Sequence, residues 1–121
     1  MDIVFIVDSS GSIGRKNFNT MKDVLLKLVR HFSVSESYAR VAIVQYATTA
    51  RKIFSLHKSQ QRGFLGLLRS ISSMRYSRGG TKTGKALKLA ARMLRNSKRR
   101  VNHKIIKHYK VLIIFICRIQ R

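Results

Sequence analysis

The residues with the clearest chemical potential lie at the front of the chain, where Ile3 to Val7 runs into Asp8-Ser9-Ser10-Gly11-Ser12. Asp8, Ser10 and Ser12 fall at i, i+2 and i+4, so in an extended segment their side chains share one face. One carboxylate and two hydroxyls converging there make an all-oxygen donor set. Hard cations such as Mg²⁺ or Mn²⁺ take ligands of that kind. Gly11 allows the backbone to turn sharply between the two serines. The same residues have a purely structural use, because Asp and Ser also cap turns and the starts of helices.

The elements that would position this set follow from periodicity. Ile3 to Val7 is continuously apolar, as in a strand buried on both faces of a parallel sheet. Phe18, Met21, Val24, Leu25, Leu28, Val29 and Phe32 recur at helical spacing and predict a helix over Asn17–Phe32. A polar loop, Ser33–Ser37, follows. Arg40–Ala47 reads as a second strand, Thr48–Ala50 as a turn and Arg51–Leu56 as a third strand. Strands so closely joined pair as a hairpin, so the sheet carries an antiparallel edge. Ser59 is the expected cap of a second helix with Phe64, Leu67, Leu68 and Ile71 on one face. Ser72–Gly80 reads as loop. Thr83–Arg95 reads as a third helix with Ala86, Leu87, Ala90, Ala91 and Leu94 toward the sheet. Asn96–Lys110 is basic and irregular, and Val111–Ile116 is a second apolar strand expected beside the first. Strands alternating with helices predict an α/β fold, an open, mostly parallel sheet covered on both faces. Such sheets bind ligands at the carboxyl ends of their strands, where the strand order reverses.

Asp8-x-Ser10-x-Ser12 after Asp2-Ile3-Val4-Phe5-Ile6-Val7, joined to Gly79-Gly80-Thr81-Lys82-Thr83-Gly84-Lys85-Ala86-Leu87, resembles the DxSxS and GGTxTGxAL marks of von Willebrand factor A (integrin I-like) domains. The resemblance implies a Rossmann-like sheet and a metal ion-dependent adhesion site. In that site Ser10 and Ser12 hold the cation through their hydroxyls, Asp8 directly or through water, and Thr81 in one state of the site. A first shell poor in negative charge leaves the cation able to accept a carboxylate from a partner. The implied function is therefore non-enzymatic adhesion to an extracellular-matrix or cell-surface protein, collagen among the candidates, in an extracellular setting. The family's third mark, Asp-Gly after the central strand, is replaced by Cys117 and Arg118 in this alignment. A thiol is a soft ligand and matches Mg²⁺ poorly. The chain is also shorter than a usual family domain, so it is expected to be a domain incomplete at its C-terminus.

Composition bounds the alternatives. The chain has 121 residues, 45% of them apolar, enough for one domain with a core. No apolar run is long enough for a transmembrane helix, and Met1 leads directly into the first strand with no signal peptide between. The single cysteine excludes an internal disulfide. The net charge is +22; all four acids lie at or before Glu36, and the 85 residues after it carry 21 of the 26 basic ones. That field attracts polyanions. A second function class follows, a metal-independent module binding a heparin-like glycan through residues such as Lys98, Arg99, Arg100, Lys104 and Lys107. Specific nucleic-acid recognition is not supported, since neither an aromatic-interleaved motif nor a helix-turn-helix pattern is present. Gly79-x₄-Gly84-Lys85 fits a phosphate-binding loop except that Ala86 stands where a hydroxyl must hold Mg²⁺. His31, His57, His103 and His108 read as structural or surface residues. No pairing of nucleophile and base suggests hydrolysis.

Overall fold

A computed structural model describes residues 2–31, 40–97, 99–101, 104–106 and 110–115. The main sheet has four strands in the order β3-β2-β1-β6. These are β1 (Asp2–Asp8), β2 (Arg40–Tyr46), β3 (Ala50–Phe54) and β6 (Lys110–Phe115). β1 pairs in parallel with β2 on one side and with β6 on the other, while β3 runs antiparallel to β2 at the edge. Three helices complete the frame, α1 (Arg15–Val29), α2 (Leu56–Ser72) and α3 (Thr83–Arg95). The expected mostly parallel sheet, its antiparallel edge and the adjacency of the two apolar strands are all present.

Alternation along β1 divides the core in two. Ile3, Phe5 and Val7 join Phe18, Met21, Leu25 and Val29 of α1 and Leu67 and Ile71 of α2. Val4 and Ile6 join Ala42, Val44 and Tyr46 with Ala86, Ala90 and Leu94 of α3. Helices thus cover both faces, and every residue of β1 is buried. Ala86 and Ala90 present little more than backbone to the sheet, which lets α3 lie close against it.

Several local expectations change. α1 starts and ends earlier than its pattern suggested, and Val24 is 44% exposed because the 100° step takes it off the stripe of Phe18, Met21, Leu25 and Val29. Leu87 and Ala91 lie off the buried stripe of α3 for the same reason, with Leu87 36% exposed. β3 stops at Phe54, and Leu56 opens α2. The N-cap of α2 is Ser55, whose Oγ accepts the Lys58 N–H at 3.1 Å. Ser59 instead serves the sheet, since it is buried and its Oγ accepts the Val41 N–H of β2 at 3.0 Å. α2 bends at Gly63, whose φ of 61° breaks the helical run. Its C-terminal end is held by Lys22 of α1, whose Nζ donates to the Ser72 and Met74 carbonyls at 3.0 and 2.8 Å; a cation at that end also suits the helix dipole. The basic segment read as irregular carries two short antiparallel strands, β4 (Arg99–Val101) and β5 (Lys104–Ile106). The expected loop Ser33–Ser37, and Phe32, lie outside the described residues.

The first residues of β1 and β2 are pinned by a bidentate ion pair. Arg40 donates from Nε to Asp2 Oδ1 at 2.8 Å and from Nη2 to Oδ2 at 2.5 Å, with both side chains almost fully buried. Removing one partner of such a pair strands the other charge in a low dielectric. Arg40→Met should therefore destabilise the domain by about 3–5 kcal/mol, read as a lower urea midpoint at unchanged m-value. Joint replacement by Asp2→Leu and Arg40→Met should recover most of the loss. Ser59→Ala, which removes the acceptor of a buried strand N–H, should cost about 1–3 kcal/mol in the same assay.

Candidate metal centre

β1 is enclosed until Asp8 and then emerges at the carboxyl edge of the sheet. The turn that follows is built by the candidate ligands themselves. Asp8 Oδ1 accepts the Ser10 N–H at 2.8 Å, which holds the loop in a tight reversal. Ser10 Oγ and Ser12 Oγ lie 3.1 Å apart and share a hydrogen bond. Asp8 and Ser10 are buried, whereas Ser12 is exposed. The two hydroxyls are thus brought together at the edge, and the Asp8 carboxylate braces the turn that carries them. Ser9, between them in sequence, is directed elsewhere: its Oγ donates to the Tyr46 carbonyl at 3.1 Å. The extended geometry expected of the i, i+2, i+4 spacing ends at Asp8: residues 11–13 form a turn, and that turn, not strand alternation, brings the Ser10 and Ser12 hydroxyls together.

The capping alternative is met only in part. Asp8 does cap the turn through Ser10 N–H, but no side chain caps α1. The N-cap of α1 is Gly14, at φ 83° and ψ 153°, and it makes no side-chain cap bond. The two hydroxyls are therefore not consumed by the helix start, and the oxygen set fits a hard cation such as Mg²⁺.

The second loop docks against the first through its backbone. Gly11 N–H donates to the Gly79 carbonyl at 2.9 Å. Arg78 and Gly79 both have positive φ, 61° and 91°, and together they make the reversal that presents this carbonyl. A Cβ on Gly79 would lie 2.6 Å from Thr48 Oγ1, so a side chain there would push into the β2–β3 turn. That hydroxyl accepts the Gly80 N–H at 2.9 Å, and Lys82 N–H donates to the Ala47 carbonyl at 2.9 Å. Thr81 thus sits on a loop clamped at Gly79, Gly80 and Lys82, beside the serine turn. Its own side chain is exposed.

Residues that the sequence did not single out hold this arrangement. Tyr76 Oη donates to the Ser10 and Gly11 carbonyls at 3.0 and 3.2 Å, while its ring packs on Phe18 with centroids 5.6 Å apart. Gln45, at the carboxyl end of β2, has its Nε2 within hydrogen-bond reach of Ser9 Oγ at 3.0 Å, the Arg75 carbonyl at 2.6 Å and Ser77 Oγ at 2.9 Å. It joins the segment carrying Tyr76 to the serine turn. Nothing local marks either residue, because every one of these contacts spans at least thirty positions of sequence.

Cations rim the site. The Arg15 guanidinium lies 5.6 Å from the Tyr76 ring centroid, and Arg78 and Lys82 are exposed on the adjoining loop. Cys117 and Arg118 lie outside the described residues, as do His103 and His108. His31 and His57 are exposed. Among the described residues no group of three His, Cys, Asp or Glu side chains gathers. The segment from Met74 to Lys82 contains no strand, so Gly79 to Lys85 lacks the strand that precedes a phosphate-binding loop.

Comparisons with known proteins establish the family. Matrilin-2 of Mus musculus is 36% identical over 91 residues, 73% of this chain and 9% of that protein. The collagen alpha-6(VI) chain of Homo sapiens is 32% identical over 111 residues, 92% of this chain and 5% of that protein. The chain thus spans less than a tenth of the length of either relative. Proximal thread matrix protein 1 of the mussel byssus superposes with a TM-score of 0.72 at 24% identity, over 93% of this chain and 29% of that one; this likeness concerns the fold. The sequence model of the von Willebrand factor type A domain matches residues 2–117. With its sheet order, serine turn and docked second loop, the chain belongs to the von Willebrand factor type A domain family.

Proposed function

We propose that the domain is a non-enzymatic adhesion module of the extracellular matrix, and that its partner contact is made at the carboxyl edge of the sheet through a divalent cation. The observation that supports this reading is the pair of hydroxyls of Ser10 and Ser12, 3.1 Å apart and not used to cap α1, on a turn braced by the Asp8 carboxylate. The matrix relatives support an adhesive role in the extracellular space. No helix among the described residues is long and apolar enough to cross a membrane.

In this reading Ser10 and Ser12 hold Mg²⁺ or Mn²⁺ through their hydroxyls, Asp8 contributes its carboxylate directly or through water, and Thr81 approaches from the second loop in one state of the site. A cation held by so few negative groups supplies an open position for an incoming carboxylate. Tyr76 and Gln45 keep the two loops in register, so that the ligand oxygens are organised before the cation arrives. Arg15, Arg78 and Lys82 form a positive rim that draws an acidic partner toward the edge. A matrix protein that offers an exposed Glu or Asp, collagen included, meets these requirements. Cys117 would contribute no hard ligand, which predicts modest cation affinity.

Calorimetric titration of Mg²⁺ and Mn²⁺ into the folded chain should show saturable binding that Asp8→Ala abolishes and Ser12→Ala weakens. Absence of binding to a folded wild-type chain would remove the metal-dependent reading. Tyr76→Phe leaves every candidate ligand in place and deletes only the support of the serine turn. It should lower cation affinity by about tenfold and stability by about 1 kcal/mol, measured by the same titration and by urea unfolding.

A further inference from the structure

A second feature lies away from the serine turn. Between β3 and α2 runs an open groove of about 900 Å³. Arg51 of β3 lines one wall, Arg62 and Arg69 of α2 the other, and Arg75 closes one end. All four are exposed. Lys52 borders the groove as well, but its pairing with Val44 directs its side chain to the α3 face of the sheet. Among the described residues the one ion pair is Arg40 with Asp2, and no carboxylate lines the groove. Four cations on facing walls, with no counter-charge from the described lining, repel one another and leave a concentrated positive potential for a ligand to neutralise. All four are arginines, whose planar fork matches sulfate, phosphate and carboxylate oxygens.

The groove is shaped by the bend of α2. Gly63 breaks the helix there, and a Cβ on Gly66 would fall 2.4 Å from the Arg62 Cβ. The absence of a side chain at Gly66 thus lets Arg62 lie along the wall. Ile53, Leu65 and Met74 complete the lining, with Leu65 66% exposed. Among the described residues no aromatic side chain lines it. Single-stranded nucleic acid is held by aromatic platforms on which its bases stack, and the described lining offers none. A membrane surface calls for a broad amphipathic face rather than a cleft with cations on both walls.

We infer that this groove is a metal-independent site for a sulfated glycan chain, whose anionic groups the four arginines meet from both sides while the sugar rings run over Ile53, Leu65 and Met74. The setting rests on the matrix assignment above; the site itself does not rest on the cation site. A domain equipped in this way has two separate contacts, one for a protein carboxylate and one for the polyanions that surround it in a matrix.

The test measures binding of a size-defined heparin oligosaccharide to the whole chain at fixed ionic strength. One variant combines Arg62→Gln, Arg69→Gln and Arg75→Gln. The control combines Lys88→Gln, Arg92→Gln and Arg95→Gln, which removes the same charge from exposed positions of α3 on the opposite face of the sheet. All six side chains are exposed, and equal urea midpoints establish that both variants are folded. The groove variant should bind about tenfold more weakly, with the dependence of log Kd on log salt reduced by about 2–3, and the control should stay within about threefold of wild type. Chelator should leave glycan binding unchanged, and the groove variant should retain whatever Mg²⁺ binding the wild type shows. Equal losses in the two variants would show diffuse charge attraction and overturn the site. Loss of glycan binding in chelator would place the contact at the serine turn and overturn it as well. Displacement of the glycan by poly-aspartate or single-stranded DNA at equal charge concentration would overturn the assignment to glycan.

Discussion

The complete enclosure of β1 is the constraint on which the rest depends. Its two edges are paired with β2 and β6, and its two faces are covered by α1 and α2 on one side and α3 on the other. A strand buried in this way must be apolar on both faces, and its hydrogen bonds must be satisfied by neighbours on both sides. The first polar side chains after Val7 can therefore appear only where the strand leaves the sheet. That edge collects the oxygen donors of the serine turn, and the same burial fixes the stem from which they project. The buried Asp2–Arg40 pair does the corresponding work at the other end, tying the start of β1 to the start of β2 in a single register.

Beyond the sheet, the candidate site is held by polar contacts between loops that have little apolar surface of their own. The Gly11–Gly79 backbone bond, the Tyr76 hydroxyl on two carbonyls and the Gln45 amide each contribute modestly. Together they remove the freedom of two loops that would otherwise have to be ordered by the ligand. Pre-organisation of this kind raises affinity by lowering the entropy lost on binding. Arg78, with its positive φ, carries a local conformational cost at this clamp. The cost is borne where the loop must reverse to offer a carbonyl to Gly11.

Charge is distributed by a different rule. Of the three acids among the described residues, Asp2 and Asp8 are buried and engaged, one in an ion pair and one in the serine turn, and Asp23 is exposed on α1. The exposed surface is left overwhelmingly cationic, so the long-range field points the same way around much of the molecule. Such a field accelerates encounter with acidic partners but does not select among them. Selection needs local shape, and the two places that supply it are the serine turn and the groove between β3 and α2.

Residue periodicity alone determined the α/β class, the two adjacent apolar strands, the hairpin edge and three helices, because a strand buried on both faces and an amphipathic helix leave patterns that survive without tertiary information; the second apolar run, expected as a central strand, stands at the end of the described strand order. The Asp8-x-Ser10-x-Ser12 spacing marks the turn in the sequence, but the meeting of the two hydroxyls comes from the reversal at residues 11–13 and not from extended geometry. Helix faces were read too broadly at Val24, Leu87 and Ala91, where a tolerant pattern admits residues that the true stripe excludes. The cap of α2 shifted from Ser59 to Ser55 because both are serines before an apolar run. Only the fold shows that one meets Lys58 N–H and the other Val41 N–H. Tertiary structure alone decided the roles of Tyr76, Gln45 and Thr48 and the gathering of Arg51, Arg62, Arg69 and Arg75 along one groove. These are contacts between residues distant in sequence, brought together by chain reversals whose partners carry no local signature.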